Sequence, residues 1–229
     1  MAVQRPFVIV FAGPNGSGKS SLTRGLQASG YDLGLYINPD EIAAGLSGSY
    51  EERVRRAQSI ADAHRADAIT TKQSFSFETV FSHPSKLDVL DQARLSGFNV
   101  LLFFVAVDDP SISIERVSTR VQVGGHDVPK DRVIARYHRT MGLLPDMVER
   151  ADQVWIFDNT VRALTSSQFA GRLVADGRRE GGRVLVGLRY PLPDWVVRYL
   201  VRPLTARSYQ SGGTAKAALR IDANEGTRD

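Results

Sequence analysis

The chain has 229 residues, of which 42% are hydrophobic and 24% charged, and this composition is typical of a globular α/β domain with a modest extension. It contains no cysteine, which excludes disulfides, thiolate chemistry and cysteine-based metal sites. The longest apolar run, residues 100–107, is too short to span a membrane, and the first residues lack a secretory leader pattern, so we expect a cytoplasmic protein.

The predicted elements alternate between strands and helices, beginning with a strand at 7–12 and a helix at 20–29. The later strands are predicted at 35–37, 74–78, 99–107 and 154–157. The later helices are predicted at 41–46, 51–70, 86–95, 111–121 and 129–149. This alternation predicts an α/β fold in which a parallel sheet is flanked by helices.

The loop between the first strand and the first helix carries a phosphate-binding motif. Residues 13–20 read Gly-Pro-Asn-Gly-Ser-Gly-Lys-Ser and match G-x-x-x-x-G-K-[ST] without a mismatch. The glycines let the backbone wrap a β-phosphate, Lys19 can reach the β/γ oxygens, and Ser20 can hold Mg²⁺. The expected nucleotide-binding residues are Gly13, Pro14, Asn15, Gly16, Ser17, Gly18, Lys19, Ser20 and Ser21. A glycine-rich turn that caps a helix is the alternative, but it leaves the apolar-flanked Lys19 unexplained.

Two acidic residues follow predicted strands whose ends are expected near this loop. Asp40, in Asn38-Pro39-Asp40, can take a proton from an acceptor hydroxyl or contact Mg²⁺ through water, or it can cap the helix that follows. Glu78, followed by Thr79, can hold a substrate hydroxyl or amide, or it can form a cap or an ion pair. We expect Asp40 to act in catalysis and Glu78 and Thr79 to contact the substrate.

A further pair of acids, Asp108-Asp109, ends the strongly apolar strand at 99–107. Four or more apolar residues that end in an acid resemble a Walker B strand. Asp109 precedes Pro110, however, and the two are better explained as the N-cap and first residue of the next helix.

Arginines at helical spacing follow that strand. Arg116 and Arg120 lie one helical turn apart, and a Gly124-Gly125 hinge leads to a second helix. Such arginines can clamp a γ-phosphate from a closing lid, predicted over about 111–140, although surface helices also carry arginine at this spacing. We expect catalytic roles for Arg116 and Arg120. The residues of this segment that we expect to contact the substrate are His126, Arg132 and Arg136.

The pattern loosens after Asn159. We expect residues 1–160 to form the core, 161–204 a basic extension with an edge hairpin and a short helix at 195–200, and 205–229 a flexible tail. The hairpin strands are predicted at 171–175 and 184–188.

The positive charge of the chain is concentrated in this extension. Residues 1–160 hold 17 basic and 19 acidic residues, whereas residues 161–207 hold nine arginines and three acids. A solvated face is the usual explanation of such a stretch. The alternative is an acidic partner, either a protein inhibitor or nucleic acid. The arginines assigned to that partner are Arg172, Arg178, Arg179 and Arg183.

Five segments together resemble the zeta-toxin family of P-loop kinases over roughly residues 7–160. They are residues 13–20, Asn38-Pro39-Asp40, residues 77–84, the stretch from Arg116 through Pro129, and Phe157-Asp158-Asn159. Each segment is short, and their order and spacing make the match specific. The chain departs from the family where Gly124-Gly125-His126 replaces an expected second lid arginine, and where residues 78–81 are poorer in glycine.

The resemblance implies a kinase that uses ATP and Mg²⁺ to phosphorylate the 3′-hydroxyl of the nucleotide sugar UDP-N-acetylglucosamine. It also implies a small helical antitoxin as partner, which blocks the ATP site. For this chain it implies phosphate binding by Lys19 and Mg²⁺ coordination by Ser20, with Asp40 as the general base. It further implies sugar contact by Glu78 and a lid role for Arg116 or Arg120.

Two other functions remain open at this point. One is a kinase with a different nucleotide-containing acceptor, such as a dinucleotide or an RNA end. The other is a non-transferring NTPase or nucleotide-gated binding module with Asp108-Asp109 as its acids. Asp40 discriminates between them, because a kinase that phosphorylates hydroxyls needs a base and a switch does not.

Overall fold

A computed structural model describes residues 5–122, 128–161, 169–212 and 214–220, and within them eight strands form one sheet. The strands are β1 (Phe7–Ala12), β2 (Leu35–Ile37), β3 (Phe75–Thr79), β4 (Asn99–Ala106), β5 (Gln153–Asp158), β6 (Arg172–Glu180), β7 (Arg183–Leu188) and β8 (Ala217–Leu219). The helices are α1 (Lys19–Ala28), α2 (Pro39–Ala44), α3 (Tyr50–Thr71), α4 (Leu87–Leu95), α5 (Pro110–Gln122), α6 (Lys130–Gly142), α7 (Leu144–Arg150), α8 (Asp194–Val196) and α9 (Arg202–Gln210).

The first five strands are parallel and lie in the order β2-β3-β1-β4-β5. Every residue of β1 after Phe7 and of β4 after Asn99 is buried, as expected for central strands covered on both faces. The predicted α/β fold with helices flanking a parallel sheet is therefore confirmed. Because parallel strands end at one edge of a sheet, the ends of β1, β2 and β3 lie together there.

The hydrophobic core lies on both faces of the sheet, because successive side chains of a strand point to opposite faces. Val10 and Phe104 belong to the larger cluster, which continues across the sheet to the C-terminal helices. Phe11 and Phe103 belong to the smaller cluster, on the face that also packs Leu22 of α1. No helix among the described residues is both long enough and apolar enough to cross a membrane.

The predicted edge hairpin is confirmed as β6 and β7, with β6 antiparallel to β5. Its two-residue turn is Gly181-Gly182, and both glycines have positive φ, at 55° and 82°. This backbone matches the right-handed twist of the flanking strands and favours glycine. Strand β6 is longer than predicted, because it runs through Asp176-Gly177 where the sequence indicated a break.

The predicted flexible tail from residue 205 is wrong for the described part of that segment. Helical structure that begins at Asp194 passes through a π-helical segment, Val197–Val201, and continues to Gln210. Strand β8 then pairs in parallel with β7. The buried side chains of Trp195, Leu200 and Leu204 hold the helix against the sheet, and polar sequence composition does not reveal this packing.

Trp195 also bonds directly to the end of a central strand. Its ring Nε1 donates a hydrogen bond to Oδ1 of Asp158, at 3.1 Å, and its ring lies 6.3 Å from that of Phe104. The C-terminal helices are therefore attached to β5 at the residue that precedes Asn159.

The single helix predicted over 129–149 is wrong, because the structure has two helices, α6 and α7, that divide after Gly142. Pro145 has no backbone N–H and occupies the first turn of α7, where none is needed. Helix α6 is fixed to the sheet by Tyr137, whose hydroxyl donates to the carbonyl of Val107 at 2.7 Å. Thr140 Oγ1 donates to the carbonyl of Val80 at 2.7 Å, which attaches α6 to the loop after β3.

Candidate active site

Neighbouring residues pack closely against the loop between β1 and α1, so two of its positions have no room for a side chain. A Cβ on Gly13 would lie 2.0 Å from the carbonyl oxygen of Val105, and one on Gly18 would lie 2.3 Å from Nδ2 of Asn159. Their φ angles, 147° and 101°, also favour glycine. Asn159 Nδ2 donates to the carbonyl of Ser17 at 2.8 Å, so the end of β5 holds the loop in place.

Lys19 is folded back over this loop. Its Nζ donates to the carbonyl oxygens of Gly13 at 2.9 Å and Pro14 at 2.8 Å. Burial lowers the pKa of Lys19 from 10.5 to about 8, with Glu78 opposing this change and Arg120 adding to it. The Oγ of Ser17 is buried nearby and has no hydrogen-bond partner among the described residues. The loop therefore offers a half-buried amine and the Ser17 hydroxyl to an anionic ligand.

Glu78 lies beside the hydroxyl that the motif assigns to Mg²⁺. Ser20 Oγ donates to Glu78 Oε2 at 2.7 Å, and the Tyr36 hydroxyl donates to Glu78 Oε1 at 2.8 Å. Within the described ranges, Glu78 forms neither the helix cap nor the ion pair that the sequence allowed. Its substrate contact stays a prediction, while its position beside Ser20 is a feature that sequence reasoning missed.

Asp40 is exposed at the mouth of the cleft, and it is not a helix cap. The cap of α2 is Asn38, whose Oδ1 accepts from the backbone N–H of Asp40 at 3.0 Å. No hydrogen bond or ion pair of the Asp40 carboxylate is recorded within the described ranges, and its charge acts on Lys19. Asp40 is therefore available to a ligand, while its general-base role stays a prediction.

Asp109 serves as a cap, as the sequence indicated. Its Oδ1 accepts from the backbone N–H of Ser111 at 2.7 Å, and the hydroxyl and N–H of Ser111 together hold the pKa of Asp109 below its usual value. Neither Asp108 nor Asp109 lines the cleft. The acid that contacts the motif serine is instead Glu78, near the end of β3, which pairs with β1.

A cleft of about 1290 Å³ opens in front of the loop and contains most of the predicted site. The predicted site residues that line it are Asn15, Gly16, Gly18, Lys19, Ser20, Ser21, Asp40, Glu78, Thr79, Arg116, Arg120 and Arg136. Arg132 is exposed and does not line it, and His126 lies outside the described residues. Arg116 also donates to the carbonyl of Thr160 at 3.2 Å, which connects α5 to the end of β5.

The cleft continues from the loop along α3. Its lining includes side chains of α3 from Tyr50 to Ile69, a span of about 28 Å at 1.5 Å per helical residue. Arg65 is buried there, with its guanidinium 5.0 Å from the centre of the Phe77 ring and ion-paired with Asp62. Lys86 also approaches Asp62, at 3.8 Å. Asp88 lines the same end, which therefore holds two cations and two anions.

The hypothesis that four arginines of the extension receive an acidic partner is wrong for Arg179. Its side chain is only 15% exposed and forms an ion pair with Asp152 at 3.2 Å. It also donates to the carbonyls of Glu149 and Ala151, at 2.7 and 2.8 Å. Arg179 therefore fixes β6 to the core, and a sequence count of charge cannot show this.

The fold and the site together define a P-loop kinase-like protein, with a phosphate-binding loop, a neighbouring strand-end acid and a cleft between α1 and α3. The sequence matches the family described as Zeta toxin over residues 1–168. The chain belongs to the zeta toxin family.

Other known proteins are similar to this chain in sequence or in fold. An uncharacterized protein of Haemophilus influenzae is 30% identical over 135 residues, which cover 56% of this chain and 91% of that protein. A chain of the AvrRxo1-ORF1:-ORF2 complex solved with ATP has a TM-score of 0.58 at 15% identity, and the match covers 76% of this chain but only 59% of that one. A structure of the PezAT toxin-antitoxin system of Streptococcus pneumoniae has a TM-score of 0.51 at 12% identity, covering 72% of this chain and 73% of that one. At these identities the two structures show a shared fold.

Proposed function

We propose that the protein is an ATP-dependent kinase that transfers a phosphoryl group to a hydroxyl of a nucleotide sugar, with UDP-N-acetylglucosamine as the acceptor implied by the family. The observation that carries the proposal is that one cleft contains both the phosphate-binding loop with Lys19 and the exposed carboxylate of Asp40. Phosphoryl transfer to a hydroxyl needs both of these groups, whereas a nucleotide switch needs only the loop.

In the reaction, the oxygen of the acceptor hydroxyl forms a bond to the γ-phosphorus as the bond from that phosphorus to ADP breaks. The loop and Lys19 bind the phosphates, and Arg116 and Arg120 place positive charge in the cleft near them. Asp40 accepts the proton that the hydroxyl loses. Little further covalent chemistry is required from the protein.

The residues present fit a magnesium ion brought in by the nucleotide. No cluster of three or more His, Asp or Glu side chains within the described ranges suits a metal by itself. Ser20 would bind the ion together with the phosphates, and Glu78 would accept hydrogen bonds from its water ligands. When bound, Mg²⁺ neutralises charge on the β- and γ-phosphate oxygens. Glu78 accepts the hydrogen bond of the Ser20 hydroxyl and thereby orients that side chain.

The length of the cleft supports an acceptor larger than one sugar ring. The cleft extends well beyond Asp40, farther than one sugar ring requires, and its far end carries the cations Arg65 and Lys86 together with the acids Asp62 and Asp88. A dinucleotide shares these properties and is the second candidate. The non-transferring NTPase loses its support, because Asp109 is used as a helix cap.

We also propose that a small protein partner covers this cleft. The support is that two similar structures come from two-component assemblies, AvrRxo1-ORF1:-ORF2 and the PezAT toxin-antitoxin system. A protein that occupies the cleft would compete with ATP, because the same cleft contains the phosphate-binding loop.

The test is to incubate the protein with Mg²⁺ and ATP labelled in the γ-phosphate. UDP-N-acetylglucosamine, a dinucleotide and an RNA oligonucleotide are offered in turn as acceptors, and the products are identified by mass spectrometry. We expect one added phosphate on the nucleotide sugar. Transfer only to the dinucleotide or to RNA would identify a different acceptor, and ATP hydrolysis unchanged by every acceptor would contradict the kinase proposal.

Asp40→Asn makes the test specific to the mechanism. We expect turnover to fall by about 10²-fold or more while ATP affinity stays within about twofold, because a positioned base acts on the chemical step. Asp67→Asn is the matched control, since Asp67 is exposed on α3 outside the cleft. Equal turnover in the two variants would remove Asp40 from the mechanism.

A further inference from the structure

The site contains a tyrosine to which the proposed chemistry gives no role. Tyr36 lies in β2, and its hydroxyl donates to Glu78 Oε1 at 2.8 Å while accepting from Nδ2 of Asn38 at 3.0 Å. Burial, together with the negative charge of Glu78, raises the pKa of Tyr36 far above its usual value. The phenol therefore stays protonated at working pH, which makes it a permanent hydrogen-bond donor to Glu78 rather than a base.

Tyr36 is the middle of a hydrogen-bonded chain that crosses three elements. Ser20 of α1 donates to one oxygen of Glu78 in β3, and Tyr36 of β2 donates to the other. The register brings them together, because Tyr36 pairs with Ser76, two residues before Glu78 and on the same face of the sheet. With one donor on each oxygen, the carboxylate of Glu78 is fixed in rotation.

The other end of the chain leads to Asp40. Asn38 donates to the Tyr36 hydroxyl and, through Oδ1, accepts from the backbone N–H of Asp40. Nδ2 also donates to Glu41 Oε1 at 3.2 Å, so Tyr36 and Glu41 together set the orientation of the amide group, and the first turn of α2 depends on that amide.

We propose that Tyr36 is a positioning residue that couples the two halves of the site. Through Glu78 it fixes the Ser20 hydroxyl toward the place of the nucleotide-bound cation, and through Asn38 it fixes the turn that presents Asp40. Any effect of Tyr36 on turnover rests on the proposed function. Its effect on Mg²⁺-dependent nucleotide binding does not depend on which acceptor is used.

Tyr36→Phe removes one oxygen atom and leaves the ring in place. Glu78 Oε1 and Asn38 Nδ2 each lose a partner, so Glu78 is free to turn away from Ser20. We expect the gain in ADP affinity that Mg²⁺ provides to fall by about tenfold, which is the usual scale for partners that orient metal ligands. ADP affinity in the presence of EDTA should change by less than about twofold. Tyr31→Phe is the matched control, because Tyr31 lies outside the network with its ring 6.5 Å from that of Phe103.

The experiment is a calorimetric titration of each full-length variant with ADP, once with Mg²⁺ and once with EDTA. Thermal unfolding of the same samples shows whether the fold is retained. Glu78→Gln supplies a second measurement, because Tyr36→Phe should have no additional effect on the Mg²⁺ gain in that background if Tyr36 acts through Glu78.

The proposal is supported if Mg²⁺ raises ADP affinity less in Tyr36→Phe than in the wild-type protein and in Tyr31→Phe. It is also required that Tyr36→Phe causes no further loss in the Glu78→Gln background. An unchanged gain with a lower melting temperature would show a purely structural tyrosine and overturn it. A wild-type protein whose ADP affinity does not respond to Mg²⁺ would overturn it as well. If the protein phosphorylates none of the acceptors, these binding results still stand, and that outcome counts against the proposed function alone.

Discussion

Lys19 should take up a proton when a nucleotide binds, and the amount can be worked out from its surroundings. In the free protein, burial lowers the pKa of Lys19 from 10.5 to about 8. Phosphate oxygens beside the amine favour its charged form and should return the pKa to about its ordinary value. Because the bound state then holds more protons than the free state, nucleotide affinity should fall as the pH rises from 8 toward 10.5.

The magnitude follows from the two pKa values. Lys19 is about half charged at pH 8 and about one-tenth charged at pH 9 in the free protein, and nearly fully charged at both values when nucleotide is bound. Binding should therefore take up about 0.1 proton at pH 7, about 0.5 at pH 8 and about 0.9 at pH 9. The corresponding loss of affinity over the whole window approaches about 300-fold.

Calorimetric titration with ADP in pairs of buffers that differ in ionisation enthalpy measures this uptake directly. EDTA is included, so that metal binding does not contribute protons. Lys19→Arg is the control, because arginine keeps the positive charge and does not titrate in this range. No uptake by the wild-type protein at pH 9, or the same uptake in Lys19→Arg, would refute the reasoning.

Three further predictions concern the loop, the fold and the lid. Gly18→Ala should abolish ADP binding in a titration, because its Cβ would lie 2.3 Å from Asn159 Nδ2. Gly25→Ala should leave binding intact, because its Cβ would meet no described atom within 4 Å beyond its own helix backbone and chain neighbours. Tyr137→Phe should lower the free energy of unfolding by about 1–3 kcal/mol in urea denaturation, because two carbonyls lose a donor, and an effect no larger than that of the exposed Tyr209→Phe would contradict this. Arg120→Ala should reduce kcat by about tenfold or more in a phosphotransfer assay, while Arg132→Ala, outside the cleft, should not, and equal kcat values would move the lid role elsewhere.

Local sequence patterns predicted the elements that depend on local forces. The bounds of β1 and β2 agree with the predictions, because short apolar runs between turn residues specify strands. The phosphate-binding loop and the cap formed by Asp109 were also predicted, because each depends on residues that are adjacent in the chain.

The contacts that define the site depend on sheet order, which the sequence does not give. Glu78 meets Ser20 only because β3, rather than β2, lies next to β1. Tyr36 gave no signal, since a tyrosine in a short strand is ordinary. The helix and strand found after residue 201 were missed for a similar reason, because packing around residues such as Leu204 and Ala217 stabilises them more than their own composition does.

The sheet continues about fifty residues past residue 168, where the family match ends. The end of the family match is therefore not the end of the folded domain. A fragment cut at the match would leave β5 as an open edge and would remove the Trp195 bond to Asp158, next to the Asn159 that holds the phosphate loop. Unpaired edges of this kind recruit strands from other chains, so such a fragment should aggregate. The segment that matches the family model and the segment that completes the sheet therefore end at different residues.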